Sequence, residues 1–309
     1  MIIVNILIVM IVIFMIIIST INCLFNYATI GQKRDKVETF KMLSTMGLYS
    51  MDEYEKLNLE ELTIKSKEGY RLNGYYLKCD VPSNKVIILL HGYLVEHYRS
   101  SQYINFFIKE GFNVLLVDQR GHGNSEGIYA TYGRYECEDL DLWVEHIREK
   151  FKDQCFIGVH GHSMGAATGL MYSVLGRNKI NFIISESGYA NAIEVIKGKL
   201  NKYKIPFFPF YNLTDYKIKK LCGFSLGEIC PINIVKKSEI PIMFIHGDKD
   251  ELIPYHMAID MFKVKSGIKR LCIIQNGRHN TCYATDKEKY EKEVKNFLKN
   301  DIIIKDLGK

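Results

Sequence analysis

The sequence predicts an α/β fold built on a mostly parallel β-sheet, and three observations support this prediction. Six short apolar runs recur between residues 85 and 277, each closed by a glycine within a few residues. Helical patterns occupy the intervals between these runs. The runs are apolar at successive positions, which favours strands covered by helices on both faces of a sheet. Alternating strands and helices are typical of parallel sheets with right-handed crossovers.

The chain begins with an apolar segment that predicts a membrane anchor over residues 1–25. Its first eighteen residues contain one polar side chain, that of Asn5, and about 20 apolar residues can cross the hydrocarbon region of a bilayer. A cleaved signal peptide would need a basic start, and MIIVN has no Lys or Arg. A buried core helix is disfavoured, because a helix that is apolar all round is difficult to bury at a chain end.

Basic residues follow the predicted anchor at Lys33, Arg34, Lys36 and Lys41. Because such residues concentrate on the cytoplasmic side of membranes, we expect the rest of the chain to lie in the cytoplasm. The net charge of +6 is modest, and the lysines are interspersed with acidic residues. This pattern indicates a solvated surface rather than a nucleic-acid site. We therefore expect contact with a membrane through the N-terminal helix, and no nucleic-acid partner.

The eight cysteines form no CxxC pair and no Cys/His spacing typical of a metal site. Several of them, such as Cys155 and Cys272, lie inside apolar runs. We expect buried free thiols in a reducing compartment, with neither a zinc site nor a redox motif.

Beyond the anchor, the sequence predicts a connector over residues 26–55 and one domain over residues 56–305. The connector contains a helical pattern around residues 36–43. The domain opens with two β-rich runs, LEELTIKS and YRLNGYYLKC, which are separated by a turn-like KEG and predict an antiparallel pair. A helical stripe over residues 139–151 is typical of a helix that packs one face on the sheet.

Two features of the later chain concern helices. The last helix is expected to begin with a capping box formed by Thr285 and Glu288. About fifty residues separate the strands NFIISESG and PIMFIHGD, far more than one crossover helix needs. Because long insertions in compact domains are usually functional, we expect residues 189–236 to form a cap over a binding pocket.

The stretch GHSMG places Ser163 between Gly161 and Gly165, directly after one predicted strand and before a helix of small residues. A very tight strand-to-helix turn tolerates little side-chain bulk, which explains the two glycines. Such a turn exposes the serine hydroxyl at a helix N-terminus, where N–H groups stabilise developing negative charge. Ser163 is therefore the candidate nucleophile.

A serine nucleophile needs a base, and the base needs an acid that orients it. His279 follows the last predicted strand in the loop NGRHN and is the candidate base. The preceding strand ends in HGDKDELIP, so the acid is Asp248 or Asp250. Asp250 is favoured because it lies deeper in the loop, whereas Asp248 is placed to bind main-chain groups of the turn.

An oxyanion produced by this nucleophile would need two N–H donors, which we expect to be the main-chain amides of Tyr93 and Met164. Tyr93 follows the strand KVIILLHG, and Met164 follows the nucleophile. Two other histidines near these loops, His91 and His122, are interpreted as braces of the loops rather than as bases.

The segments HGY, DQRGHGNSEG, GHSMG, HGDKDELIP and GRHN occur in this order, and the chain resembles the alpha/beta-hydrolase superfamily over about residues 56–300. More narrowly, it resembles membrane-anchored bacterial serine hydrolases described as esterases or lipases. The resemblance implies an eight-stranded, mostly parallel sheet with an antiparallel second strand, flanked by helices and carrying a helical cap. It also implies that Ser163, Asp250 and His279 form a catalytic triad. One departure is the pair Glu186-Ser187, where relatives commonly carry an Asp.

The function expected from these residues is hydrolysis of a carboxylic ester through an acyl-enzyme, with no metal or organic cofactor. The predicted partner is a small-molecule acyl substrate. Peptidase-like, thioesterase or acyltransferase activity on the same triad remains an alternative, since the fold supports each of them. A non-enzymatic membrane-tethered protein is less favoured, because every member of the triad is present.

Overall fold

The computed structural model describes residues 2–30 and 35–303, and an eight-stranded sheet forms the centre of the fold. The strands lie in the order β1-β2-β4-β3-β5-β6-β7-β8. β2 runs antiparallel to both of its neighbours, and β3 to β8 are parallel. The strand bounds are β1 Leu59–Lys65, β2 Arg71–Leu77, β3 Lys85–Leu90, β4 Asn113–Val117, β5 Phe156–His162, β6 Phe182–Glu186, β7 Ile242–Gly247 and β8 Lys269–Ile274.

Helices cover both faces of the sheet. Short 3-10 segments at His97–Tyr103 and Leu226–Glu228 and a π-helical segment at Phe297–Ile303 complete the regular structure of the described residues. The α-helices are α1 Ile2–Thr29, α2 Lys36–Thr45, α3 Met51–Glu55, α4 Ile104–Lys109, α5 Glu136–Lys150, α6 Met164–Tyr172, α7 Ala192–Lys202, α8 Phe207–Cys222, α9 Pro231–Val235, α10 His256–Val264, α11 Cys282–Thr285 and α12 Lys287–Asn296.

The central strands are apolar on both faces because two cores lie on opposite sides of the sheet. In β3, Ile88 and Leu90 point into the core that contains Trp143 of α5. Their neighbours Ile87 and Leu89 point into the other core, with residues of α2, α4 and α12. Successive side chains of a strand point to opposite faces, so continuous apolar runs are what a doubly covered sheet requires. The predicted α/β fold with a mostly parallel sheet is confirmed.

The N-terminal segment forms one helix, α1, which continues to Thr29. Its residues 2–16 are exposed all round, and the helix is long and apolar enough to cross a membrane. Two of the basic residues behind the orientation prediction, Lys33 and Arg34, lie outside the described residues. All eight cysteines lie within the described part of the chain and are free thiols.

The last helix begins differently from the prediction. The side chain of Asp286 accepts a hydrogen bond from the N–H of Lys289 and caps α12. Thr285 instead ends the short helix α11, and its hydroxyl donates to Thr281. The predicted capping box of Thr285 and Glu288 is therefore wrong, because Asp286, one residue later, supplies the N-cap acceptor as a charged carboxylate.

Candidate active site

Ser163 lies at the turn between β5 and α6 with φ of 55° and ψ of −112°. This left-handed backbone is uncommon for a residue with a side chain and stores strain. A Cβ atom at Gly161 would lie 2.2 Å from the carbonyl oxygen of Gly165. One at Gly165 would lie 2.3 Å from the carbonyl oxygen of Leu90. The two glycines therefore permit the close main-chain approach that lifts the serine hydroxyl out of the turn.

The three side chains predicted to act together form a continuous hydrogen-bonded chain. The Oγ of Ser163 lies 2.8 Å from Nε2 of His279. The Nδ1 of His279 lies 2.8 Å from Oδ2 of Asp250. They come from the ends of β5, β7 and β8, because the carboxyl ends of parallel strands meet at one edge of the sheet. This geometry can pass a proton from the serine to the imidazole.

The carboxyl group of Asp250 is buried and held from several sides. Its Oδ1 accepts hydrogen bonds from the N–H groups of Leu252 and Ile253 at 3.0 and 2.8 Å. Burial alone would raise the pKa of this carboxyl, but hydrogen bonds from His246 and His279 outweigh burial and hold the pKa well below its usual range. Asp250 is therefore ionised and can orient His279. Asp248 accepts from the main-chain N–H of Asn276 at 2.6 Å instead.

The two residues whose main-chain amides are expected to bind an oxyanion, Tyr93 and Met164, line the same cavity as Ser163 and His279. Within the described ranges, neither main-chain N–H has a hydrogen-bond acceptor from the protein. Met164 is the first residue of α6, where N–H groups lack partners within the helix. Two such donors can stabilise a negative oxygen between them.

The two histidines interpreted as braces do hold loops together. The Nδ1 of His91 donates to the carbonyl of Gly92, and its Nε2 accepts from the N–H of Gln119. Burial lowers the pKa of His91 to about 3, so the ring is neutral. His122 contacts the carbonyl of Arg120 and accepts from the N–H of Leu94. These contacts connect the loop after β3 to the loop after β4.

His162 is a residue of the site that the sequence reasoning missed. It directly precedes Ser163, and its Nε2 lies 2.8 Å from the carbonyl oxygen of His279. On the other side of the same loop, a guanidinium N–H of Arg99 donates to the carbonyl of Asn280 at 2.6 Å. Both contacts fix the main chain that carries the base. The sequence carries no local signal for these distant acceptors, because they lie more than a hundred residues further along the chain.

The cavity beside Ser163 has a volume of about 330 Å³. Helix α7 of the segment predicted as a cap contributes Ala192, Val195, Ile196 and Lys199 to its wall. None of the described residues that line it carries a carboxyl group, whereas Lys199 and Arg99 are basic. The wall is thus largely apolar with positive charge, which suits an acyl substrate better than a cationic one.

The departure at Glu186 is structural. Its carboxylate is buried and accepts from the hydroxyls of Tyr103 and Tyr290 at 2.8 and 2.7 Å. Its main-chain carbonyl accepts from the N–H of Ser163 at 2.9 Å. Glu186 therefore connects the end of β6, beside the nucleophile, to Tyr103 and Tyr290 in the core on one face of the sheet.

An eight-stranded sheet with a single antiparallel strand, and a serine at the strained turn after its fifth strand, defines the alpha/beta-hydrolase class of proteins. Residues 81–209 match the family model described as Serine aminopeptidase, S33. The protein YqkD of Bacillus subtilis is 31% identical over 272 residues, covering 87% of this chain and 88% of its own length. The chain belongs to the alpha/beta-hydrolase superfamily.

Two further comparisons agree with this assignment. The membrane protein YNL320W of Saccharomyces cerevisiae is 25% identical over 235 residues, which cover 74% of this chain and 75% of that protein. The esterase Pf2001 of Pyrococcus furiosus has a similar structure, with a TM-score of 0.65 and 24% identity. The match covers 81% of this chain and 94% of the esterase. At this identity the likeness shows the fold.

Proposed function

We propose that this protein is a serine hydrolase that cleaves carboxylic esters. The observation that carries the proposal is the hydrogen-bonded chain from Ser163 through His279 to Asp250, open to a largely apolar cavity. In this proposal Ser163 is the nucleophile, His279 the general base and Asp250 the acid that holds the imidazolium. No step requires a metal ion or an organic cofactor.

The first half of the reaction transfers the acyl group to the enzyme. The Oγ of Ser163 forms a bond to the carbonyl carbon while its proton moves to Nε2 of His279. The carbonyl oxygen becomes negative and is bound by the amides of Tyr93 and Met164. When the bond to the leaving oxygen breaks, His279 returns the proton to it and an alcohol departs. Ser163 is left as an acyl ester.

The second half repeats these steps with water. His279 removes a proton from a water molecule, whose oxygen attacks the acyl carbon. The bond to Oγ of Ser163 then breaks, and the serine regains its proton from His279. The products are one alcohol and one carboxylic acid for each water consumed, and the enzyme returns to its starting state.

Labelling with a fluorophosphonate probe tests the proposed nucleophile, because the probe reacts covalently with an activated serine. We expect the wild-type chain to be labelled and the Ser163→Ala variant to remain unlabelled. Hydrolysis of a series of p-nitrophenyl esters then tests the bond type. Equal labelling of the two proteins would show that Ser163 is not the nucleophile.

A peptidase is the second candidate, since the matching family model is described as a serine aminopeptidase. An aminopeptidase must bind the positively charged amino terminus of its substrate, and a carboxylate is the usual partner for such a group. The described cavity wall offers Lys199 and Arg99 and no carboxylate, so charge favours the ester. Aminoacyl p-nitroanilides test the difference. Faster cleavage of these amides than of the esters would favour the peptidase.

We further propose that α1 anchors the protein in a membrane, with the hydrolase domain in the cytoplasm. The length and apolar surface of α1 support an anchor, and the basic residues after it support the orientation. Recovery of the protein in the soluble fraction, starting downstream of Phe25, would contradict the anchor. Protease treatment of sealed vesicles tests the orientation.

A further inference from the structure

The C-terminal end of α1 packs onto the segment predicted as a cap. The Nζ of Lys217 in α8 donates to Oδ1 of Asn22 at 2.6 Å and lies 4.4 Å from the centre of the Phe25 ring. Phe25 is buried. The N–H of Ala130 donates to the carbonyl of Thr29 at 2.8 Å. The last two turns of the helix are thus part of the folded domain.

The same helix end reaches the catalytic cavity. Tyr27 lines the cavity that contains Ser163. The hydroxyl of Tyr93 donates to the carbonyl of Tyr27 at 2.6 Å, and the hydroxyl of Tyr132 donates to that of Ala28. Tyr93 also supplies one of the two proposed oxyanion amides, so the helix is hydrogen-bonded to the loop beside the reacting carbonyl.

A second cavity of about 220 Å³ lies between α1 and the cap helices. It shares four lining residues with the catalytic cavity, namely Tyr27, Tyr132, Ile196 and Lys199. The two cavities therefore adjoin at these four side chains. The rest of the second cavity is mostly apolar, and its lining includes Cys23, Leu24 and Ala28 of α1 and Leu200 of α7.

The second cavity lies at the level where α1 would leave a bilayer. Residues 2–21 of a helix span about 30 Å, which matches the thickness of the hydrocarbon region. The cavity wall begins at Cys23, immediately after this stretch. On the neighbouring α8, Phe208 and Tyr216 are exposed by 75% and 66%. Exposed aromatic side chains are typical of surfaces at the membrane–water interface.

We propose that the second cavity holds the acyl chain of an ester drawn from the membrane, so that the N-terminal helix forms part of the substrate site. This inference rests on the proposed function. The scissile ester lies at Ser163, and its acyl chain extends past the four shared side chains into the space between α1 and the cap. Ser163 takes up the long-chain acyl group, an alcohol leaves with one proton, and water then releases the fatty acid.

The shape of the cavity predicts how activity depends on chain length. Each methylene that leaves water for the second cavity increases kcat/KM about fourfold. We therefore expect kcat/KM of the full-length protein in detergent micelles to increase from acetyl to octanoyl p-nitrophenyl esters. Tryptophan at Leu24 or Ala28 would fill the cavity. Tryptophan at Asn26, an exposed residue of the same helix that does not line the cavity, is the matched control.

In the Leu24→Trp and Ala28→Trp variants we expect the ratio of octanoyl to acetyl kcat/KM to fall at least tenfold. In Asn26→Trp we expect the ratio of the wild type. An unchanged ratio in both cavity variants, or the same decrease in the control, would overturn the inference. Hydrolysis of the acetyl ester by the wild type separates the two proposals, because its absence counts against the proposed function itself.

The position of the bound acyl chain can also be measured in a variant that does not turn the ester over. In the Ser163→Ala variant, an octanoyl ester with a diazirine at the end of its chain is photo-crosslinked to the protein. We expect the crosslinks at residues 23–28 or at Leu200, and fewer crosslinks there in Ala28→Trp. Crosslinks confined to other parts of the chain would overturn the inference whatever the activity of the wild type.

Discussion

The Nε2 of His162 donates a hydrogen bond to the main-chain carbonyl of His279 across 2.8 Å. Burial, with a smaller contribution from the charge of His279, lowers the pKa of His162 to about 3, so this ring is a neutral donor. The residue before the proposed nucleophile thereby holds the loop of the proposed base. Ser163 and His279 are therefore connected twice: by the hydrogen bond between their side chains and by the structural hydrogen bond from His162.

Loss of this donor should displace the base. We expect His162→Phe, which keeps a ring and removes the N–H, to lower kcat about 10- to 100-fold with little change in KM, because small misplacements of catalytic groups are costly. His162→Gln retains an N–H donor and should recover most of the rate. Steady-state kinetics on an acetyl ester measure both. Equal losses in the two variants would show that His162 serves packing alone.

The two aspartates of the loop after β7 should differ sharply. Asp250→Asn removes the charge that stabilises the imidazolium and should lower kcat by about 10⁴-fold. Asp248→Asn changes a residue that accepts from the N–H of Asn276 and should keep kcat within a few-fold of the wild type. Circular dichroism checks that both variants fold. A larger loss of activity in Asp248→Asn than in Asp250→Asn would show that Asp248 is the acid that orients His279.

Two glycine substitutions should change stability in opposite directions. Gly165→Ala places a methyl group against the main chain of Leu90 and should cost about 2–3 kcal/mol of unfolding free energy. Gly198 lies within α7, and a Cβ atom there has no heavy atom within 4 Å. Gly198→Ala should add about 0.5–1 kcal/mol. Chemical denaturation measures both, and a stable Gly165→Ala variant would contradict the close approach at the turn.

Stability should fall as the pH is lowered from 6 to 4. Burial lowers the pKa of His91 and His162 to about 3 and that of His160 to about 4, below the value of about 6.5 in an unfolded chain. The unfolded state therefore binds more protons at these histidines in this range, about three more near pH 5. Burial raises the pKa of Asp139 to about 6, which offsets one of them.

The net difference of about two protons near pH 5 corresponds to roughly 3 kcal/mol per pH unit. Denaturation at several pH values measures this slope. His160 contacts the hydroxyl of Tyr290 at 2.7 Å, and His160→Gln can keep that hydrogen bond without titrating. The slope of this variant should be smaller by roughly 1 kcal/mol per pH unit. A stability that does not change between pH 6 and 4 would contradict the neutral state of these rings.

Lys199 should select for negatively charged substrates. Its side chain lines both cavities, and burial lowers its pKa. A carboxylate or phosphate group on the substrate would supply an ionic partner for Lys199, so Lys199→Met should raise KM for such esters about tenfold. The KM for neutral esters should not rise. Lys202→Met, an exposed change on the same helix, is the control. Equal effects on charged and neutral esters would exclude this role.

Much of the sheet could be predicted from the sequence, because its signals are local. Every predicted strand is present, since runs such as KVIILLHG are long enough to fill a doubly covered strand and end in glycine. Ser163, Asp250 and His279 could be placed at one edge because parallel strands bring their carboxyl ends together. The predicted N-cap residue of α12 is wrong, because Thr285 and Asp286 both suit an N-cap and packing decides between them.

Other parts of the site depend on contacts between distant segments and have no local signal. His162 meets the carbonyl of a residue 117 positions away. Tyr27 belongs to an apolar helix and yet lines the catalytic cavity. A hydropathy pattern shows that α1 can enter a membrane, but not that its last turns pack on α8. Such contacts are fixed by the tertiary fold.

The docking of the N-terminal helix matters for how the protein is prepared. A recombinant chain that starts after residue 30 would lack Tyr27 in the wall of the catalytic cavity. The hydroxyls of Tyr93 and Tyr132 would also lose their carbonyl acceptors. Removal of the apolar helix would make the chain more soluble, but it would also change the shape of the catalytic cavity. Inhibitors selected against that shortened protein would be fitted to a surface that the intact chain does not present.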